Sequence, residues 1–150
     1  MKNEIKNTML YIENITDNLG YKINSEDYYI EFLSSPHKRP TTLPKGYSAI
    51  YMFILNDKFL KIGKANSKSI ARYCYQHYNV KSCISNLAKS LCNDIDFCSL
   101  DLNESNVGKW IQDNITRVNI LIKNECGKAT TELIESIFHY KFRPKYEGNI

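Results

Sequence analysis

Residues 48–78, SAIYMFILNDKFLKIGKANSKSIARYCYQHY, decide how the chain folds. Two apolar segments, 49–55 and 58–62, flank the polar pair Asn56-Asp57. β-Branched and aromatic residues on both sides of such a pair predict a hairpin. With a side-chain period of two, Ile50, Met52, Ile54, Leu60 and Ile62 share one face, and Tyr51, Phe53, Phe59 and Lys61 share the other. An odd-length turn would set Tyr51 and Lys61 directly or diagonally opposite across the strands. Gly63 and Lys64 end the second strand, and Ser67 or Ser69 is a candidate cap for a short helix bearing Arg72 and His77. Tyrosine, lysine, arginine and histidine then converge on one end of a small sheet, a set suited to a phosphodiester.

Downstream, Thr116–Lys123 alternates Val118, Ile120 and Ile122 against Asn119 and Leu121, which predicts a third antiparallel strand. Helices are expected at about 84–92, around Leu87, Ala88 and Leu91, and at about 105–114, around Val107, Trp110 and Ile111. Trp110 reads as a core anchor in preference to a base-stacking platform, because an indole buries so much apolar area. A last helix, about 129–142, puts Leu133, Ile134, Ile137, Phe138 and Lys141 on one face, with Glu135 at its edge and Glu132 one turn earlier. Upstream, Ile5, Met9, Ile12, Ile15 and Leu19 predict an amphipathic helix over 3–19, stopped at Gly20. Ser25, Glu26 and Asp27 predict the start of a second short helix carrying Tyr28, Tyr29, Phe32 and Leu33. Residues 34–46 read as a proline-punctuated linker. The expected class is α+β, a three-stranded antiparallel sheet flanked by helices over residues 45–150. Residues 1–44 are expected to be a helical extension and linker, and Met9, Ile12 and Ile15 make a homodimer a candidate assembly.

A chain of 150 residues is large enough for one core. Its formal charge of +4 permits a nucleic-acid partner without demanding one, since clustering matters more than the sum. No apolar run reaches membrane-spanning length, and the first ten residues carry no long apolar core of a signal peptide, so a cytoplasmic location without a membrane partner is expected. The five cysteines form no CxxC pair, and their odd number argues against a disulfide framework. Zinc bound by Cys74 and His77 would lack a matching second pair of ligands.

Ala-Ile-Tyr at 49–51, Lys-Ile-Gly-Lys at 61–64, Ala-Arg at 71–72 and Gln-His-Tyr at 76–78 together resemble the core of the GIY-YIG nuclease family. Thr-Glu-Leu-Ile-Glu-Ser-Ile-Phe at 131–138, followed by Arg-Pro-Lys-Tyr-Glu-Gly, resembles that family's late helix with its metal-binding glutamate. The likeness spans roughly residues 45–148. It is nearest to small bacterial and phage members. In the usual pattern a second tyrosine stands where this chain has Lys61, and restriction-type members are similar to this chain there. His77 follows Arg72 by five residues, against the four common in the family. The family's terminal asparagine has only Asn149 as a candidate.

The resemblance implies a metal-dependent endonuclease acting on DNA, with Mg²⁺ or Mn²⁺ as cofactor. Glu135 is the expected metal ligand, since one carboxylate plus waters and substrate oxygens is a common way to hold Mg²⁺. Arg72 is expected to clamp the scissile phosphate with its permanently charged fork. Tyr51 is expected to accept a proton from the attacking water, with Lys61 lowering the phenol's pKa. His77 has three candidate roles: protonating the leaving group, hydrogen-bonding Tyr51, or packing. Lys64, Lys141, Arg143 and Lys145 are candidate contacts to the nucleic-acid backbone. A catalytically weak binding module of the same fold, and a nuclease of single strands or RNA, are the alternatives.

Overall fold

The computed structural model describes residues 1–147. The elements in order are α1 (Lys2–Asn18), β1 (Tyr28–Leu33), β2 (Tyr47–Leu55), β3 (Lys58–Ala65), α2 (Ile70–Cys74), α3 (Leu87–Asn93), α4 (Val107–Asn114), β4 (Thr116–Lys123) and α5 (Lys128–Phe142). They form an α+β fold around one antiparallel sheet in the order β1-β4-β2-β3. Both faces of the sheet are covered. On one face, α1 and α5 bring Ile5, Met9, Ile12, Ile134 and Phe138 against Ile50, Met52, Val118 and Ile120, all fully buried. On the other, Tyr73, Tyr78, Leu87, Leu91, Val107 and Ile111 cover Ala49, Tyr51, Phe53 and Leu121.

The sheet has four strands, not three, because residues 28–33 extend along β4 from Tyr28↔Ile122 to Leu33↔Arg117 instead of coiling into a helix. Ser25 and Glu26 lie in a turn, in which the Asn24 amide donates to Asp27 Oδ2 at 2.8 Å. The Tyr28, Tyr29, Phe32 and Leu33 spacing fits a helix. Tyr28, Ile30 and Phe32 also fit a strand with one inward face, and these three pack against the α1 side of the core. An otherwise unpaired edge of β4 settles the choice, since its backbone groups need partners.

Residues 1–44 therefore supply a helix and a strand to the same layered body. Met9 and Ile12, two of the residues in the stripe that suggested a dimer, are fully buried against this chain's own sheet. Ile15 is half-buried, Leu19 is exposed, and Thr8 and Thr16 take the inward positions. Gly20 ends the helix at φ +88°, a conformation that favours glycine.

The hairpin forms through a two-residue turn with positive φ at both Asn56 and Asp57. This matches the right-handed strand twist. The turn is thus even in length, and the odd residue comes from a bulge. Ile54 pairs with Phe59 but Phe53 pairs with Lys61, so Leu60 is the extra residue. Leu60 consequently joins the Tyr51 side, and Phe59 the α1–α5 side, the reverse of the simple alternation. The bulge puts Tyr51 opposite Gly63 and diagonal to Lys61.

Candidate functional site

Tyr51 projects from β2 into the second face and is 2% exposed. Its ring lies over Gly63, its cross-strand partner, where an added Cβ would sit only 2.6 Å from Tyr51 Cζ. Only a residue without a side chain leaves room for the phenol. Tyr51 Oη is 2.8 Å from His77 Nε2. His77 lies in a 3₁₀ turn (Gln76–Tyr78) after α2, and its Nδ1 accepts the Leu87 backbone N–H at 3.2 Å. With Nδ1 accepting, the neutral ring carries its hydrogen on Nε2 and donates it to Tyr51 Oη. Burial first, then the charges of Lys61, Arg117 and Arg72, push the His77 pKa down to about 3. A histidine neutral at ordinary pH suits the role of donor to Tyr51 and not that of a protonated acid for the leaving group.

Lys61 is 8% exposed and donates to the Tyr146 carbonyl at 3.5 Å. Burial, opposed by Cys83 and reinforced by Arg72, lowers its pKa. Burial also raises the pKa of Tyr51, and the cations that pull it back are Arg72 and Arg117, not Lys61. The charge expected from Lys61 therefore comes from two arginines, one of them unforeseen in the sequence.

Glu135 on α5 is partly buried and takes an ion pair from Lys64 of β3 at 2.7 Å. Lys64 also approaches Glu132 at 3.8 Å, and Lys128 holds Glu132 at 3.5 Å. Glu135 is thus the carboxylate turned toward Tyr51, and Glu132 leans toward the start of α5. His139, one turn after Glu135, binds the Ile62 carbonyl through Nε2 at 3.1 Å, a structural contact. Arg72 on α2 is exposed, and its side chain makes no hydrogen bond or ion pair with the described residues. Tyr51, Lys61, Lys64, Arg72, His77 and Glu135 all line one open cleft of about 640 Å³.

The other three basic candidates line a separate groove beside Phe59 and Phe142. Lys141 donates to Thr8 Oγ1 at 2.8 Å, Arg143 lies over the Tyr140 ring at 4.5 Å, and Lys145 pairs with Asp94 at 2.6 Å and with Asp96. Lys145 in particular is already neutralised. Asn149 lies outside the described residues. Cys74 is buried, and no group of three His, Cys, Asp or Glu suited to a metal occurs among the described residues. Trp110 packs edge-on against Phe97 with ring centroids 5.8 Å apart, as a core anchor.

Sequence reasoning missed Arg117, Asn119 and Glu31. Arg117 and Asn119 share the Tyr51 face of β4 and are 1% and 0% exposed. The signal available was two polar residues, 117 and 119, on one face of a strand whose other face carries Val118, Ile120 and Ile122. No helix of the described residues is long and apolar enough to cross a membrane. No family model, curated protein or solved structure matches the chain.

Proposed function

We propose that the chain is a metal-dependent endonuclease of the GIY-YIG type that hydrolyses DNA phosphodiesters. The observation that carries this reading is the convergence of Tyr51, Lys61, Lys64, Arg72, His77 and Glu135 in one open cleft from separate elements of the fold. Core packing gives no reason to gather three cations, a carboxylate and a buried Tyr–His pair around the β3 edge of the sheet.

Each part has a task. Arg72, free of protein partners among the described residues, binds the scissile phosphate, and Lys64 and Lys61 add positive charge at its non-bridging oxygens. Tyr51 Oη takes a proton from the attacking water, with His77 Nε2–H donating to the same oxygen and orienting it. Mg²⁺ fits the donor set in one mode: it is usually held by one or two carboxylates plus waters and substrate phosphate oxygens, and Glu135 is such a carboxylate facing an open cleft. When bound, the ion would supply Lewis-acid stabilisation of charge on the phosphate. One cleft per chain favours nicking, with double-strand cuts requiring two protomers or two visits. A restriction-like, phage or mobile-element role in the cytoplasm suits such a nuclease.

The Lys64–Glu135 pair at 2.7 Å favours a second reading, a nucleic-acid-binding module without turnover, in which the lysine occupies the carboxylate permanently. Cleavage of supercoiled plasmid with Mg²⁺ or with EDTA, by wild type and Glu135→Ala, separates the two. Relaxed or linear product that needs both the metal and Glu135 supports the nuclease. Binding without product on double-stranded DNA, single strands or RNA supports the module.

A further inference from the structure

Arg117 heads the fully buried side chains by volume, yet no carboxylate pairs with it among the described residues. Its Nε donates to Asn119 Oδ1 at 2.9 Å, Nη1 to the Tyr78 hydroxyl at 3.2 Å and Nη2 to the Tyr73 carbonyl at 2.6 Å. All three acceptors are uncharged. Glu31 stands one step further out, held by Asn119 Nδ2 at 2.7 Å, so an amide separates the guanidinium from the carboxylate that would neutralise it. Four rings surround the cation: Tyr73 at 4.7 Å, Phe53 at 5.3 Å, Tyr51 at 5.8 Å and Tyr78 at 5.9 Å from guanidinium carbon to ring centroid.

A buried charge costs several kcal/mol in desolvation, and apolar replacements of similar volume are often as stable. Retaining the charge while keeping it from a counter-ion leaves its field to act on neighbouring groups. Of the three tyrosines around it, Tyr51 alone lines the catalytic cleft. The two Nη contacts also grip residues 73 and 78, the ends of the segment that carries His77.

We propose that Arg117 is a positioning residue of this cleft: its uncompensated charge stabilises negative charge on the Tyr51 oxygen, and its grip on residues 73 and 78 holds His77 against that oxygen. The inference rests on the reading of Tyr51 as proton acceptor. In that step the ionised Tyr51 oxygen takes a proton from water as the water oxygen bonds to phosphorus. The bond to the leaving oxygen breaks, and that oxygen is protonated from solvent. Arg117 exchanges no proton, since guanidinium stays charged throughout. Besides Arg117, Tyr51 is faced by Arg72 from α2, His77 from the 3₁₀ turn, Lys61 from β3, Cys83 from the loop before α3 and Glu135 from α5. Among the cations, Arg72 is exposed and screened by water, whereas Arg117 is dry. Burial raises the Tyr51 pKa and Arg72 and Arg117 both oppose it, which agrees with this geometry.

A fluorinated tyrosine at position 51 brings the phenol into an accessible pH range, and ¹⁹F NMR reads that single site without turnover. Asn119→Asp, made together with Glu31→Gln so that no second carboxylate faces the new one, leaves Arg117 and its apolar contacts in place but sets a carboxylate against Nε. Arg117→Gln removes the charge and keeps hydrogen-bond donors, and Arg117→Lys keeps the charge. The expected result is a titration midpoint displaced upward in that double variant and in Arg117→Gln, so that ionisation at fixed pH falls about tenfold, with Arg117→Lys close to wild type. A midpoint that stays put in the folded double variant overturns the proposal, whether or not the protein cleaves DNA. A midpoint that moves in a protein that cleaves no nucleic acid supports the hold of Arg117 on Tyr51 and sinks the nuclease reading alone.

Discussion

Gly63→Ala isolates the closest steric contact in the cleft. Alanine in a strand is ordinarily favoured over glycine by about 0.5–1 kcal/mol. Gly63 does not have the positive φ that would make alanine costly for the backbone. The sign of the effect is therefore set by space alone. The new Cβ would lie 2.6 Å from Tyr51 Cζ and 2.9 Å from Cε2, with the hydroxyl oxygen nearer still. Ordinary carbon contacts are about 3.5–4.0 Å, so the ring must retreat by roughly 1 Å. Tyr51 is 2% exposed, and the Phe53 and His77 rings packed beside it oppose that retreat. Overpacking of this kind costs about 1–3 kcal/mol. The same movement breaks the 2.8 Å contact with His77 Nε2. We expect denaturant unfolding to show a net loss of about 1–2 kcal/mol, and ¹⁵N spectra of the His77 ring to show a changed Nε2 environment. Stability equal to or above wild type, with the His77 signals unmoved, would refute the reasoning.

His77 makes stability pH-dependent. Its folded pKa of about 3 lies below the unfolded value near 6.5, so the unfolded chain binds the extra proton between them. Stability should fall as pH drops below about 6.5, by up to about 1.4 kcal/mol per pH unit from this group. Urea titrations from pH 7 to 5 should show a shallower slope in His77→Gln, and identical slopes would remove His77 as the cause. Lys64→Met frees Glu135, and isothermal titration should find Mg²⁺ binding several-fold tighter than in wild type. Unchanged affinity would mean that Glu135 is not the ligand. Met9→Ala empties a fully buried position and should cost about 2–5 kcal/mol, measured by thermal or urea unfolding. A chain beginning at residue 45 lacks both α1 and β1 and should show no cooperative unfolding transition. A sharp transition would make residues 1–44 a dispensable extension after all.

The candidate site's grouping was legible where chemistry and spacing coincide. Tyr51, Lys61, Arg72, His77 and Glu135 were named from residue type, order and the likeness to the GIY-YIG pattern, and they line one cleft. Their working relations were less legible. That Tyr51 meets His77, that Lys64 meets Glu135 and that Lys145 is neutralised by Asp94 and Asp96 depend on where separate elements come to rest. The Arg117 network joins residues 31, 78, 117 and 119, a separation across which periodicity carries no information.

Local sequence established the hairpin around Asn56-Asp57, the alternation of β4 and the helices near both ends, because turn chemistry and side-chain period act between close neighbours. Three features depended on packing between distant segments. Residues 28–33 became a strand because β4 had an edge to satisfy. Leu60 and Phe59 exchanged faces because the strand pair absorbed an extra residue. Arg117 became an interior charge because α2 and its following turn closed over it with a carbonyl and a hydroxyl as acceptors. In each case the deciding partner lies far away along the chain, and only folding brings its backbone edge, its vacant space or its charge within reach.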